Sequence, residues 1–364
     1  MHLDDLETPA VLVDLDILGR NIAGMAEAAR RCGVKLRPHA KTHKCVEIGR
    51  MQRAAGASGL SLAKTGEAEV FAAAGFDDLF IAYPVVGEDK GRRLLALADG
   101  ARLAVGADSE EGARTLAGVF HRAGRRLDVL LKVDVGFNRV GVAPDRAAEM
   151  ARRIAGLPGL RVRGVFTHAG HAYGAETPDR LAQIGGDEGL RLLQAAEAIR
   201  AAGLDIEEVS VGSTPTSGHV MAVPGVTEVR PGNYVFRDAS QLSLGACTLD
   251  ECALTVLATV VSAPAPGRAV VDAGSKTLSS DPLRPRPGGH GWVLSGGGNS
   301  RVERLSEEHG VITVAPGDSF RVGDRVRILP NHACVVANLH DRLWGVRHDQ
   351  VETEFHVDAR GKVQ

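Results

Sequence analysis

The chain lacks several features that would each have named a class of protein. It has no apolar run of roughly 18 residues or more, so no segment reads as a transmembrane helix. It lacks a dominant charge: 43 Lys and Arg stand against 45 Asp and Glu, a formal −2. Its bulk field therefore draws in neither nucleic acid nor an anionic membrane. Its cysteines (Cys32, Cys45, Cys247, Cys252 and Cys334) show no paired spacing, which points to a reducing, cytoplasmic address. The opening residues Met1-His2-Leu3-Asp4-Asp5 are acidic, without the basic and apolar regions of a signal peptide. There is no internal repeat of roughly 20–50 residues and no Walker A loop ending in Gly-Lys-Ser/Thr.

What is present is an alternation. The 364 residues, 44% hydrophobic and 24% charged, suit two domains or one barrel with an appendage. Short β-rich runs fall at Lys35–Pro38, Gly59–Ala63, Leu79–Ala82, Arg102–Val105, Val129–Val133, Val162–Thr167, Glu208–Val211 and Glu228–Arg230. Helical segments rich in Ala, Leu, Arg and Glu separate most of them. Such alternation predicts a parallel sheet, and eight strands predict a closed (β/α)8 barrel, with an open doubly wound sheet as the alternative. After about Ala239 the texture changes. Strands are expected at Leu254–Ser262, Ala269–Asp272, Gly310–Val314, Asp324–Leu329 and Leu343–Arg347, without helical periodicity. The expected division is a barrel over 12–238 and a mainly β domain from 1–11 and 239–364. Asp281–Gly291, rich in Pro and Gly, reads as a long loop.

The unusual residues cluster just past the expected strands, where barrel enzymes keep their chemistry. Pro38 biases Arg37 toward an extended backbone, so Arg37-Pro38-His39-Ala40-Lys41-Thr42-His43-Lys44 reads as a strand running into a loop that carries Lys41. By itself it also reads as a basic surface loop. After the fifth strand, Arg139 is placed to clamp an anionic oxygen or to pair with Asp134. After the sixth, His168 and His171 suit a metal or a ring-stacking face. After the seventh, Gly212-Ser213-Thr214 offers hydroxyls and backbone N–H groups, as a phosphate cradle needs. After the eighth comes Arg230-Pro231-Gly232-Asn233-Tyr234. Together these fit pyridoxal phosphate: an amine, a phenolic-oxygen partner, a stacking face and a phosphate anchor. In the β domain, Pro330-Asn331-His332-Ala333-Cys334 is expected to be extended. Residues two apart then share a side, so His332 and Cys334 converge on one metal ion. Two ligands leave open positions, which suits catalytic metal chemistry.

These motifs resemble the fold-type III pyridoxal-phosphate enzymes, specifically the D-threonine aldolase and D-serine dehydratase family, over nearly the whole chain. The resemblance implies an alanine racemase-like barrel followed by the β domain. It implies that Lys41 is the Schiff-base lysine and that His332 and Cys334 hold a divalent metal (Zn, Mn or Mg). Cys334 stands where some D-threonine aldolases carry Asp, and the softer thiolate favours zinc. Arg139 matches the contact to the cofactor's phenolic oxygen and His168 the stacking histidine. Gly212–Thr214, with Ser213 and Thr214, and Gly232–Tyr234, with Asn233, match the phosphate anchors. For the pyridine nitrogen, Tyr173 matches the dehydratases and Arg230 the racemases.

The implied substrate is a small β-hydroxy-D-amino acid. The expected activity is D-threonine aldolase, retro-aldol cleavage to glycine and an aldehyde. The alternatives are a D-serine or D-threo-3-hydroxyaspartate dehydratase, an amino-acid racemase, or a non-catalytic pyridoxal-phosphate carrier. The metal loop Asn331–Asn338 has no Arg or Lys to hold a second carboxylate; Arg284, Arg286 and Arg301 are the candidates from elsewhere. A homodimer is expected, each β domain meeting the partner's barrel mouth, by fold-level analogy and because the loop Asp281–Gly291 has no evident task within one subunit.

Overall fold

The computed structural model describes residues 1–364 apart from 286, 287 and 298. The chain opens with strand β1 (Ala10–Asp14) and the helix Leu15–Arg31, whose N-cap Asp14 accepts the N–H of Ile17 at 2.9 Å. Eight parallel strands follow: β2 (Lys35–Leu36), β3 (Leu60–Leu62), β4 (Asp78–Pro84), β5 (Arg102–Ala107), β6 (Leu127–Lys132), β7 (Leu160–Phe166), β8 (Glu208–Val211) and β9 (Glu228–Val229). Their order is β2-β9-β8-β7-β6-β5-β4-β3. A bridge between His39 and Ser61, with Ser61 N–H donating to the Pro38 carbonyl at 2.8 Å, joins the two ends. The strands are apolar runs buried on both faces, as a parallel sheet jacketed by helices requires. Phe80, Ala104, Leu130 and Phe166 pack together, the two phenyl rings meeting edge-on at 5.1 Å.

Ion pairs fill the amino ends of the strands. Arg37, almost wholly buried, bonds Glu228 and Asp78, each at 2.6 Å. Arg163 bonds Asp128 and Glu208, each at 2.9 Å. Charged groups buried in this way must be paired, and these pairs link neighbouring strands. The carboxyl ends are left for chemistry.

The rest is antiparallel: β10 (Leu254–Ala265), β11 (Arg268–Val271), β12 (Gly291–Val293), β13 (Arg301–Leu305), β14 (Gly310–Thr313), β15 (Arg325–Pro330), β16 (Arg342–Arg347) and β17 (Gln350–His356). Strands β10, β11, β14, β13, β12 and β15 close on themselves in that order. Strand β10 also pairs with β1, which pairs in turn with β16 and through it with β17. The whole of β1 therefore lies in this second sheet, so the N-terminal contribution runs to Asp14, beyond the expected residue 11.

Three expectations need correction. The region after Ala239 is not free of helix: Ala239–Ser243, Ser275–Leu278 and Ala333–Leu339 are helical. They are too short for a periodic pattern to show. Strands β12, β13 and β17 escaped the sequence reading because they are short or carry charged residues on an open face. Finally, the loop after Asp281 has a task within the subunit: the Asp281 and Gly289 carbonyls both accept from the Asn331 side chain, at 3.1 and 2.9 Å. Arg286 lies outside the described residues. No helix among the described residues is long and apolar enough to cross a membrane.

Candidate active site

Beyond β2 the chain makes a single 3-10 turn, Ala40–Thr42, held by His39 N–H on the Pro231 carbonyl at 2.9 Å. The two lysines of the motif part company here. Lys44 has a left-handed backbone (φ 52) and is buried, its ammonium 3.2 Å from Glu67. Lys41 is exposed and has no hydrogen-bond or ion-pair partner among the described residues. Even so, the protein around it depresses its ammonium pKa. Burial is the largest cause; Arg139 and Arg230 add to it, while Cys334 and Glu67 oppose it. Lys41 is thus reached by water yet ringed by protein, as an amine standing in a cavity would be.

Histidines and arginines surround it. His168 Nδ1 lies 3.1 Å from the Gly212 carbonyl, and its ring meets Phe137 edge-on at 5.8 Å. Burial, then Lys41 and Lys132, keep its pKa well below the ordinary value, so the ring is neutral. Arg139 lies 4.7 Å over Phe137 and does not pair with Asp134. The Asp134 carboxylate is taken up by the backbone N–H groups of Gly136, Phe137 and Asn138. Arg230 is anchored in the barrel wall by Ser210 Oγ at 2.7 Å and the Thr167 carbonyl, above Phe166 and Phe80. Burial lowers its pKa to about 10. The Tyr173 phenol accepts from Gln241 at 3.2 Å. Burial, then the fields of Cys334 and Asp238, push it up.

Two loops form the cradle. Tyr234 N–H donates to Thr214 Oγ1 at 3.1 Å, stapling them together. Among the described residues, the backbone N–H groups of Ser213, Thr214, Gly232 and Asn233 take no acceptor. Gly232 must be glycine, because a Cβ there would sit 2.6 Å from Thr42 Oγ1 and 2.9 Å from the His39 carbonyl. That close approach joins the cradle to the lysine turn. Unpaired donors on glycine-bearing loops, beside a free amine and a neutral imidazole, fit pyridoxal phosphate. The Tyr234 side chain does not join the cradle: its buried phenol accepts from Gln52 at 3.0 Å.

The second wall comes from the β domain. His332 is the N-cap of the helix Ala333–Leu339, and Cys334 lies in that helix's first turn. The expected extended segment is therefore wrong. The two side chains stand together at a helix start, where Cys334 acts on the His332 imidazole. His332 Nδ1 lies 2.6 Å from Asp281, leaving Nε2 for a ligand. A carboxylate on the far nitrogen is the usual support for a metal-bound imidazole, so this pair fits a divalent ion. Burial alone would lower the His332 pKa, but Cys334 and Asp281 outweigh it and push it up to about 11. Among the described residues no cluster of three or more His, Cys, Asp or Glu is arranged for a metal. The Cys334 thiol donates to Thr42 Oγ1 at 3.3 Å, so the two walls touch beside Lys41.

Sequence reasoning missed three supports. Asp238 caps the helix Ala239–Ser243 and accepts from Asn233 at 2.6 Å and from Ala333 N–H at 3.0 Å. Its place before Ala-Ser-Gln carried a capping signal. Asp281 and Gln241 carried none. His171, one of the candidate metal ligands, has an unpartnered buried Nδ1 and lies near Gly136, with Arg180, Asp134, Arg191 and Asp187 acting on it.

A lysine-bearing parallel barrel with an appended antiparallel domain is the architecture of the fold-type III pyridoxal-phosphate enzymes. The family model "Alanine racemase, N-terminal domain" matches residues 13–240, and "Putative serine dehydratase domain" matches 253–346. The chain belongs to the D-threonine aldolase and D-serine dehydratase family. It is 39% identical over 346 residues to a D-threo-3-hydroxyaspartate dehydratase of Delftia sp. (strain HT23), covering 90% of this chain and 91% of that one. It is 33% identical over 363 residues to a D-threonine aldolase of Arthrobacter sp, covering 98% and 93%. The solved D-threonine aldolase from Filomicrobium marinum superposes with a TM-score of 0.89 at 35% identity, covering 99% and 97%. A cysteine-to-alanine variant of a D-threo-3-hydroxyaspartate dehydratase, solved in the metal-free form, gives 0.91 at 36%, covering 98% of each chain.

Proposed function

We propose that the protein cleaves β-hydroxy-D-amino acids with pyridoxal phosphate and a divalent cation, by retro-aldol reaction of D-threonine-like substrates to glycine and an aldehyde. The observation that carries this reading is the contact between Cys334 and Thr42, the residue after Lys41. That contact brings the segment of Lys41 against the segment of His332 and Cys334, which supports a reading in which the two address adjacent carbons of one substrate. Pyridoxal phosphate supplies an electron sink for charge left at the α-carbon. A divalent cation on His332 and Cys334, zinc for the soft thiolate, supplies acidity toward the β-hydroxyl.

The chain's own residues do the rest. Lys41 would hold the cofactor and would hold or move a proton at the substrate. His168 would offer it a neutral ring face. The N–H groups of Ser213, Thr214, Gly232 and Asn233 would hold its phosphate, Arg139 would serve its phenolic oxygen, and Arg230 or Tyr173 its pyridine nitrogen.

A second reading, dehydration, is favoured by the depressed pKa of Lys41. A lysine that loses its proton easily is suited to take one from the α-carbon. The assembly we propose is a homodimer, supported by exposed Tyr83 near the end of β4 and exposed Val86 and Val140 beyond the ends of β4 and β6. Five unpaired thiols support a reducing, cytoplasmic address.

Steady-state kinetics on D-threonine, D-allo-threonine, D-serine and D-3-hydroxyaspartate separate the readings. The aldolase reading expects acetaldehyde and glycine from D-threonine, with D-serine slower by roughly 10- to 200-fold for its missing methyl. Pyruvate from D-serine forming faster than acetaldehyde from D-threonine would reverse the order of the two readings. Chelation is expected to abolish either reaction while the cofactor stays bound; full turnover in metal-free protein would remove the cation's role.

A further inference from the structure

Cys247 and Cys252 lie at the two ends of a short loop outside the Lys41 mouth. The loop contains the 3-10 turn Leu249–Glu251, closed by a capping box between Thr248 and Glu251. Both cysteines pack on one apolar cluster with Ala239, Leu283 and Leu329, Cys252 buried and Cys247 half-buried. The Cys252 thiol donates to the Thr248 carbonyl within this loop at 3.6 Å, and each thiol acts on the other, lowering the pKa of Cys247 and raising that of Cys252. Cys252 also lines a cleft of about 320 Å³, with Asp14, Leu249, Thr255 and Arg327. Nothing in the proposed mechanism uses either sulfur.

The loop is wired to the catalytic wall. Arg237 grips both its ends, donating to the Ala246 carbonyl at 2.6 Å and pairing with Glu251 at 3.1 Å. The next residue, Asp238, accepts from Asn233 in the phosphate cradle and from Ala333 N–H at the start of the His332 helix. A change in the span from 247 to 252 therefore pulls on Arg237, and through it on Asp238.

We propose that Cys247 and Cys252 form a reversible disulfide when a hydroperoxide reaches the half-buried Cys247, and that the bond shifts Asp238 and weakens the phosphate cradle. The chemistry balances with the peroxide as oxidant. The Cys247 thiolate attacks one peroxide oxygen; an S–O bond forms, the O–O bond breaks and hydroxide leaves. Cys252 sulfur then attacks Cys247 sulfur; the S–S bond forms, the S–O bond breaks and a second hydroxide leaves. The two thiol protons convert the two hydroxides to water. The sulfurs are oxidised and the peroxide oxygens reduced. Cys247 is suited to attack first, because it is the half-buried one of the two, and its neighbour Cys252 and the Arg237 guanidinium hold its pKa below that of an ordinary thiol.

The test uses the full-length protein loaded with pyridoxal phosphate, treated with stoichiometric hydrogen peroxide, alkylated and digested with trypsin. Both cysteines fall in the single peptide 238–268, between Arg237 and Arg268, while Cys334 falls in 328–342. The expected result is a 238–268 peptide lighter by two hydrogens and resistant to alkylation, restored by dithiothreitol, with Cys334 still alkylated. Pyridoxal phosphate, titrated by its absorbance, is expected to bind several-fold more weakly to the oxidised protein and normally to peroxide-treated Cys247→Ser. Two alkylatable thiols, or Cys247 driven to sulfinate without linkage, would overturn the disulfide. Unchanged cofactor affinity in the linked protein would overturn the coupling. The mass readout stands whichever lyase reaction the enzyme performs, so its failure and that of the proposed function are separable.

Discussion

The two walls of the cavity are built differently. The barrel wall is a set of strand ends. Lys41, Arg139, His168, Ser213 and Arg230 each follow a parallel strand, and backbone ladders fix their spacing. The β-domain wall is a set of long-range side-chain contacts. His332 is oriented by Asp281, 51 residues away, and the helix behind it is capped by Asp238, 95 residues away. On the proposed reading, the barrel wall carries the amine and the phosphate donors, whereas the other wall carries the pair assigned to the metal. Cofactor capture and bond cleavage can therefore be damaged separately, and four experiments press on that division.

The largest effect is expected from Lys41→Ala. Turnover should fall by on the order of 10⁴-fold, the upper end for a positioned proton-transfer group, and borohydride should no longer fix the cofactor to the protein. Label recovered on Lys44 or Lys64 of the unmutated enzyme would break the assignment of the barrel wall.

Lys44→Met is the matched contrast. It strips the counter-ion from Glu67 in a site where both side chains are almost wholly buried. Removing one partner of such a pair typically costs about 3–5 kcal/mol, so urea unfolding should shift by that much, whereas Lys41→Met should leave the midpoint near its original value. Equal midpoints for the two variants would mean that the two lysines are not divided between structure and chemistry as described.

On the other wall, Asp281→Asn removes the carboxylate that orients His332. Metal affinity should drop by roughly 10- to 100-fold, the usual effect of losing such a support, with cofactor absorbance unchanged. A fall in cofactor affinity with metal affinity preserved would show that the walls are not independent.

The smallest effect is a pH shift. Burial depresses the Lys41 ammonium, so the neutral, reactive fraction grows as pH rises and saturates below the range of an ordinary lysine. The rate at which metal-free apoprotein captures pyridoxal phosphate should climb with pH and level off early. A midpoint at or above the ordinary lysine value would contradict the cavity.

Much of the barrel wall was legible in the sequence because it is local. A short apolar run, a turn and a polar residue recur at each βα junction, and Glu208–Val211 was read with the bounds it has in the fold. The β-domain wall was legible in its residues but not in its geometry. His332 and Cys334 stood out by type, yet two residues of spacing fit both an extended segment and a helix start. The choice was made by Asp238, which caps that helix from the other end of the domain. Tyr234, in the segment matched to the phosphate anchors, shows what the sequence left open: an apolar core and Gln52 take its ring, which leaves that segment's backbone for the cradle.

The sequence by itself determined the alternation of strand and helix, and with it the parallel barrel. It also determined which lysine follows the first barrel strand and which residue types could serve a phosphate and a metal. These follow from hydrophobic periodicity and turn chemistry, which act over a few residues. Tertiary structure alone decided that Lys44 is spent on Glu67 while Lys41 stays free, that β1 joins the second sheet, and that Thr42 meets Cys334. Each of those outcomes depends on desolvation and on partners distant in the chain, and neither is set until both walls have packed.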